Sequence, residues 1–143
     1  MSKGRQYYVT EPGFENLQNA GILRTHNEEI LKRLHFKKIS LYGSGAFVNR
    51  IKQWLETLAW SFKLKQQDLV IFHFPIHSSK NKMLLKLLSK KNIPAAVIIV
   101  DIDGVRDQDN ELLKQEISLL NQFKWIIAHN NSMKSFLQQW LPS

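Results

Sequence analysis

Short apolar runs and stretches of helical spacing alternate along the chain. Residues 6–10, Gln-Tyr-Tyr-Val-Thr, read as a first strand, and Glu11-Pro12-Gly13 as the turn that closes it. Helical spacing then runs over residues 17–34, followed by a short strand at 38–42. Gly43-Ser44-Gly45 opens a long helix in which Phe47, Ile51, Trp54, Leu55, Leu58 and Phe62 form one apolar stripe. That stripe is expected to face the core. Trp60 projects opposite it, among Gln53, Glu56 and Lys63, so it is either exposed or covered by a neighbouring element.

The second half repeats the alternation. Residues 68–74 read as a strand stopped by Pro75, and 81–91 as a Lys/Leu helix ended by Asn92-Ile93-Pro94. A strand at 95–100, a helix at 109–121, a strand at 125–129 and a helix at 131–140 follow. Strands alternating with helices imply right-handed crossovers and a parallel sheet. The expected architecture is α/β, a Rossmann-like three-layer domain over residues 1–143, with a mostly parallel sheet of about five strands. The runs beginning at Leu69, Ala95 and Trp125 are apolar throughout, which places them at the centre of the sheet.

Composition narrows this picture at three points. The chain has no cysteine, so disulfides and thiolate metal sites are excluded. There is no apolar leader and no run near the roughly 20 residues that cross a bilayer, which leads to a cytoplasmic expectation. The net charge of +8 favours anionic partners such as nucleotide-sugars or acidic lipid headgroups, unless the lysines only solvate helix faces. Lys80, Lys82, Lys86, Lys90 and Lys91 share a helix with Met83, Leu84, Leu87 and Leu88 and fit either description. Nucleic acid is not an expected partner, because no recognisable module or interleaved aromatic pattern accompanies the charge.

Chemistry concentrates in Val97 to Arg106, V-I-I-V-D-I-D-G-V-R. A buried parallel strand that ends in polar groups delivers them where open α/β sheets bind ligands. Asp101-Ile102-Asp103-Gly104-Val105 fits the D-x-D-G-[TV] of dehalogenase-like phosphatases, in which Asp101 would attack phosphorus and Asp103 act as acid/base beside Mg²⁺. That motif belongs near the start of its domain, and no acidic strand end follows it here. Gly43-Ser44-Gly45 lacks the residues of a phosphate loop and reads as a strand-to-helix turn. His73 and His129 end apolar strands near Asp101 and suit a polar binding rim better than a metal site. His26, His35 and His77 carry no spacing signal. Arg106 could orient an acceptor or phosphate, or pair with Asp103 and brace the loop. A non-enzymatic basic interaction module is a third reading.

Several segments, in order, resemble one family. Asp68 to Pro75 is similar to a D-hydrophobic-Q-Y-P strand end, and Asp101 to Arg106 to H-D-I-[DE]-S-L-R. Glu116 to Asn121, followed by Ile126 to Met133, is similar to E-I-x-L-L-N … I-I-x-H-N-x-x-M. All occur in the N-terminal half of bacterial glycosyltransferases of the galactofuranosyltransferase and glucosyltransferase 3-like group. The resemblance covers nearly the whole chain and is strongest from Asp68 onward. It departs at Val100 (the family's His), His73 (its Gln) and Gly104-Val105 (its Ser-Leu).

The resemblance implies a GT-B enzyme. Its N-terminal domain receives a glycan or lipid-linked acceptor, and its C-terminal domain, absent from this chain, binds a nucleotide-sugar, a UDP-sugar by analogy. No metal or cofactor is implied. Glycosyl transfer to a hydroxyl benefits from a general base, for which Asp101 is the first candidate, with Asp103 or Glu11 as substitutes. The acceptor contacts would come from Glu11, Asn16, His73, Asp103, Arg106, His129 and Asn130. Glu116 and Asn121 would support or pack. Peripheral membrane contact and homo-oligomerisation, through a helix such as the one bearing Trp60, are further expectations.

Overall fold

A computed structural model describes residues 4–11, 20–41 and 47–141, with the side chains of 20 and 47–50 left aside. In chain order the elements are β1 (Gln6–Val9), α1 (Ala20–Arg33), β2 (Lys37–Ile39), α2 (Phe47–Lys63), β3 (Leu69–Phe74) and α3 (Ser79–Lys90). They continue with β4 (Ala95–Ile99), α4 (Asp103–Arg106), α5 (Asn110–Leu120), β5 (Trp125–Ile127) and α6 (Asn131–Trp140). The five strands form one sheet in the order β2-β1-β3-β4-β5. Every pairing is parallel, with Tyr7 opposite Lys37 and Val70, Phe72 opposite Val97, and Val97 opposite Ile126. The expected Rossmann-like α/β architecture is therefore present. The Gly43-Ser44-Gly45 turn and Asn16 lie outside the described residues.

Side chains alternate across the pleat and divide the interior in two. Tyr7, Val9, Val70, Phe72, Phe74, Val97 and Ile99 face Leu84, Leu85 and Leu88 of α3, Ile117 and Leu120 of α5, and Leu137 of α6. Tyr8, Ile71, Ala96 and Ile98 face the other way, toward Leu31 of α1. The division follows from right-handed crossovers. The step from β1 to β2 runs in one direction and the later steps in the other, so α1 lies on one face and the later helices on the opposite one.

Two expectations are corrected. The β5 segment, apolar throughout, was expected in the centre but lies at the edge of the sheet, with Trp125 and Ile127 48% and 46% exposed. Only its Ile126 packs on the main core, while the α1 layer stops short of the other face. The second correction concerns α2. Ile51, Trp54, Leu55 and Phe62 are exposed, and the inward side instead carries Gln53, Thr57 and Ser61. Trp60, read as opposite the stripe, is half-buried and meets the Tyr7 ring edge-on at 5.6 Å. Small polar residues serve on this inner side because their hydroxyls bond within the helix, Thr57 to the Gln53 carbonyl at 2.9 Å and Ser61 to the Leu58 carbonyl at 2.7 Å.

At the amino end of the sheet, Asp68 joins β1 to β3. Its buried carboxylate accepts from the Arg5 N–H at 2.8 Å, the Lys65 N–H at 3.0 Å and the Arg5 guanidinium at 3.1 Å. Burial pushes the carboxyl upward, but the two backbone N–H groups and Arg5 outweigh it and hold the group below its usual range. The Asp68 of the strand motif is thus a structural tie at the end of β3 remote from the candidate site. Asp68→Ala should lower stability by about 3 kcal/mol, since it strands several donors and a cation. A urea midpoint equal to that of the parent chain would refute this assignment.

Candidate functional site

Where β1, β3 and β4 end at their carboxyl edge, the chain gathers most of its interior charge. Glu11 leaves β1 with a buried carboxylate that accepts from the Ser78 N–H at 3.0 Å and the Asn81 amide at 2.6 Å. The same Asn81 amide donates to the Thr10 carbonyl at 2.9 Å. Ser78 is the N-cap of α3, so Glu11 joins the end of β1 to the start of α3. A residue proposed for the acceptor is in this structure also a positioning group.

Beyond β4, Asp101 stands one-third exposed at the tip of an interior strand. One oxygen accepts from the Ile102 N–H at 2.8 Å and the other meets the Arg106 guanidinium at 2.5 Å. Asp103, more enclosed, lies 2.9 Å from the same guanidinium nitrogen and 3.5 Å from His77 Nε2. Arg106 donates through its other face to both oxygens of Asp107, at 2.9 and 3.2 Å. Asp107 first, then Asp103 and Asp101, raise the guanidinium above its usual value. The bracing role of Arg106 is therefore present in the geometry.

The frame under these residues is α4, a single turn that periodicity did not reveal. Its amino end is held by Glu116 of α5, whose carboxylate accepts from the N–H groups of Asp103 at 3.1 Å and Gly104 at 2.7 Å. Burial raises the Glu116 carboxyl despite these donors. The support expected of Glu116 thus takes a definite form. Asn121 is the exposed C-cap of α5.

Behind the rim lies a buried layer that sequence reasoning only half found. His73 sits on β3 beneath α1 and is 1% exposed. Burial, aided by Arg24 and His129, pushes its pKa down to about 4, against a smaller opposite pull from the Val9 backbone. The ring is neutral near pH 7 and lies inside the fold rather than facing an incoming acceptor. Arg24 of α1 was missed. It is buried, donates to the Pro75 carbonyl at 2.6 Å, and is lowered to about 10 by burial while Glu11, Glu28 and Asp103 pull the other way. Its signal was present in the sequence: Arg24, Glu28 and Leu31 share one helical face, where an ordinary core stripe would be apolar throughout.

The remaining expected contacts separate. His129 is exposed just past β5, at the same edge of the sheet. Asn130 caps α6, its side-chain oxygen accepting from the Met133 N–H at 2.8 Å. His77, given no role by its spacing, is brought against Asp103 by the turn after β3.

A rim of ionised and neutral donors and acceptors around an exposed carboxylate can hold polyhydroxylated ligands and accept a hydroxyl proton. It suits phosphatase chemistry poorly. The guanidinium of Arg106 lies between Asp101 and Asp103, where a divalent ion would need to sit. Among the described residues no group of three or more His, Asp or Glu side chains could hold a metal.

Compared with known families, residues 6–140 match the one described as glucosyltransferase 3-like, N-terminal domain. No curated protein matches the chain.

Proposed function

Given that this chain belongs to the glucosyltransferase 3-like family through its N-terminal domain, we propose that it is the acceptor-side half of a GT-B glycosyltransferase. The reaction moves a sugar from a nucleotide donor, a UDP-sugar by family resemblance, to a hydroxyl of a glycan or lipid-linked acceptor. The setting is the assembly of cell-surface polysaccharide or glycoprotein on the cytoplasmic side of the membrane. In such an enzyme the donor binds mainly to a C-terminal domain. As the acceptor oxygen bonds to the anomeric carbon, the bond from that carbon to the diphosphate breaks and its electron pair leaves with the nucleotide. The hydroxyl proton passes to Asp101.

One observation carries the assignment: Asp101 combines a position at an interior strand tip with a side chain that is one-third exposed. Asp103 is more enclosed, and Glu11 is buried in its bonds to Ser78 and Asn81. Arg106 fixes the direction of the Asp101 carboxylate, while His129 and the exposed side of the rim meet the acceptor. The test joins the chain to a nucleotide-sugar domain of the same family and follows nucleoside diphosphate release with acceptor present. Asp101→Asn should cut kcat by roughly tenfold or much more while donor KM is retained. A variant that transfers sugar at the parent rate rejects Asp101 as the base.

A further inference from the structure

The outer surface of α2 contradicts its place in a solvated layer. Phe62 is 78% exposed and Leu55 61%, with Ile51 and Trp54 beside them on one side of the helix. The opposite side is satisfied: Thr57 is fully buried, Gln53 accepts from Lys80, and the Lys91 ammonium bonds the Ser61 carbonyl at 2.5 Å. The stripe is therefore not a misplaced core face that a small rotation of the helix would bury. Turning it inward would expel Thr57, Ser61 and the Trp60–Tyr7 contact.

Charge identifies what covers it. Residues 47–91 contain nine Lys and Arg against Glu56 and Asp68, a net +7 of the chain's +8. Asp68 is buried and paired with Arg5, which leaves Glu56 as the acid at the surface of this segment. Lys91 borders the stripe directly, 4.9 Å from the Phe62 ring, and Lys63 lies 4.5 Å from the ring of Trp60, outside the stripe. Lys82, Lys86 and Lys90 continue the charge along α3. A second copy would set one strongly positive surface against another. Nucleic acid would suit the lysines but leave Ile51 and Leu55 without a use. An aromatic and aliphatic stripe bordered by lysines has the form of a helix lying in a bilayer interface.

We propose that the outer face of α2, with the lysines of α3, seats this domain on a membrane surface bearing anionic lipid headgroups. Ile51, Leu55 and Phe62 enter the headgroup–acyl boundary, and the lysines meet the phosphates. The attachment is peripheral, since no helix among the described residues is long and apolar enough to cross a bilayer.

The test sediments the intact chain with vesicles of phosphatidylcholine, alone or mixed with phosphatidylglycerol. Binding is expected only to the mixed vesicles, weakened by salt, with a tryptophan emission blue shift that is diminished in Trp54→Phe. Leu55→Glu with Phe62→Glu should reduce partitioning by roughly tenfold or more, with circular dichroism and the thermal midpoint unchanged because both sites are exposed. Lys86→Glu with Lys90→Glu should lower it by a similar order. Equal binding of the double glutamate variant to the mixed vesicles would overturn the proposal. So would indifference of the parent chain to them, whether accompanied by self-association that Leu55→Glu abolishes or by preferential capture of an oligonucleotide.

Discussion

Gly104→Ala is expected to be among the most damaging single substitutions in the chain. A β-carbon there would lie 2.4 Å from the Leu113 backbone nitrogen and 2.5 Å from its α-carbon. The obstruction is main chain, and the Leu113 N–H is itself engaged with the Asp109 carbonyl at 2.9 Å. Relief requires α4 to move away from α5, which strains the bond from the Gly104 N–H to Glu116. Overpacking of this kind costs about 3 kcal/mol, the upper part of its usual range, because no flexible side chain can give way. Denaturant unfolding measures the loss directly. In the fusion assay of the proposed reaction, nucleoside diphosphate release should also fall, since α4 frames Asp101, Asp103 and Arg106. An alanine variant that unfolds at the parent midpoint would show that the close approach of α4 to α5 is not maintained in solution.

Acidification should destabilise the fold through His73. Its pKa is 6.5 in an ordinary setting and about 4 in the native interior. The unfolded chain therefore binds a proton that the folded chain excludes. Stability is complete above pH 6.5, declines as the pH falls toward 4, and loses nothing further from this group below that point. The total is about 3 kcal/mol, from 2.5 pH units at about 1.4 kcal/mol each. Equilibrium unfolding of the parent chain and His73→Phe, compared from pH 7 to pH 4, isolates the effect. The slope should flatten in the variant, and an undiminished slope would refute the assignment to His73.

Legibility from sequence differed between fold and site for physical reasons. The alternation of strand and helix was plain because each element carries its own period in its own residues. The tip of β4 was equally plain: an apolar run that ends at Asp101 and Asp103 places carboxylates at the carboxyl edge of a parallel sheet. The support beneath them was not. Glu116 lies 13 residues beyond Asp103 in the chain and reaches its N–H only because α5 folds back on α4. Arg24 and His77 come from α1 and the turn after β3, and reach the rim through crossovers that no local pattern encodes. Gly104 looked like part of a phosphatase signature, yet its role is to let two backbones approach.

Residue order alone determined that this chain is an α/β domain of parallel strands, that Asp101 ends an interior strand, and that α2 has one apolar face. Only the tertiary structure decided where those faces point. Hydrophobic periodicity reports that a helix or strand has an apolar side, but its direction depends on which neighbour packs there. In α2 it is Gln53, Thr57 and Ser61 that face the interior, and the apolar stripe faces outward. At β5 the strand order placed Trp125 and Ile127 beyond the cover of α1. Direction and cover are properties of contacts between segments distant in sequence.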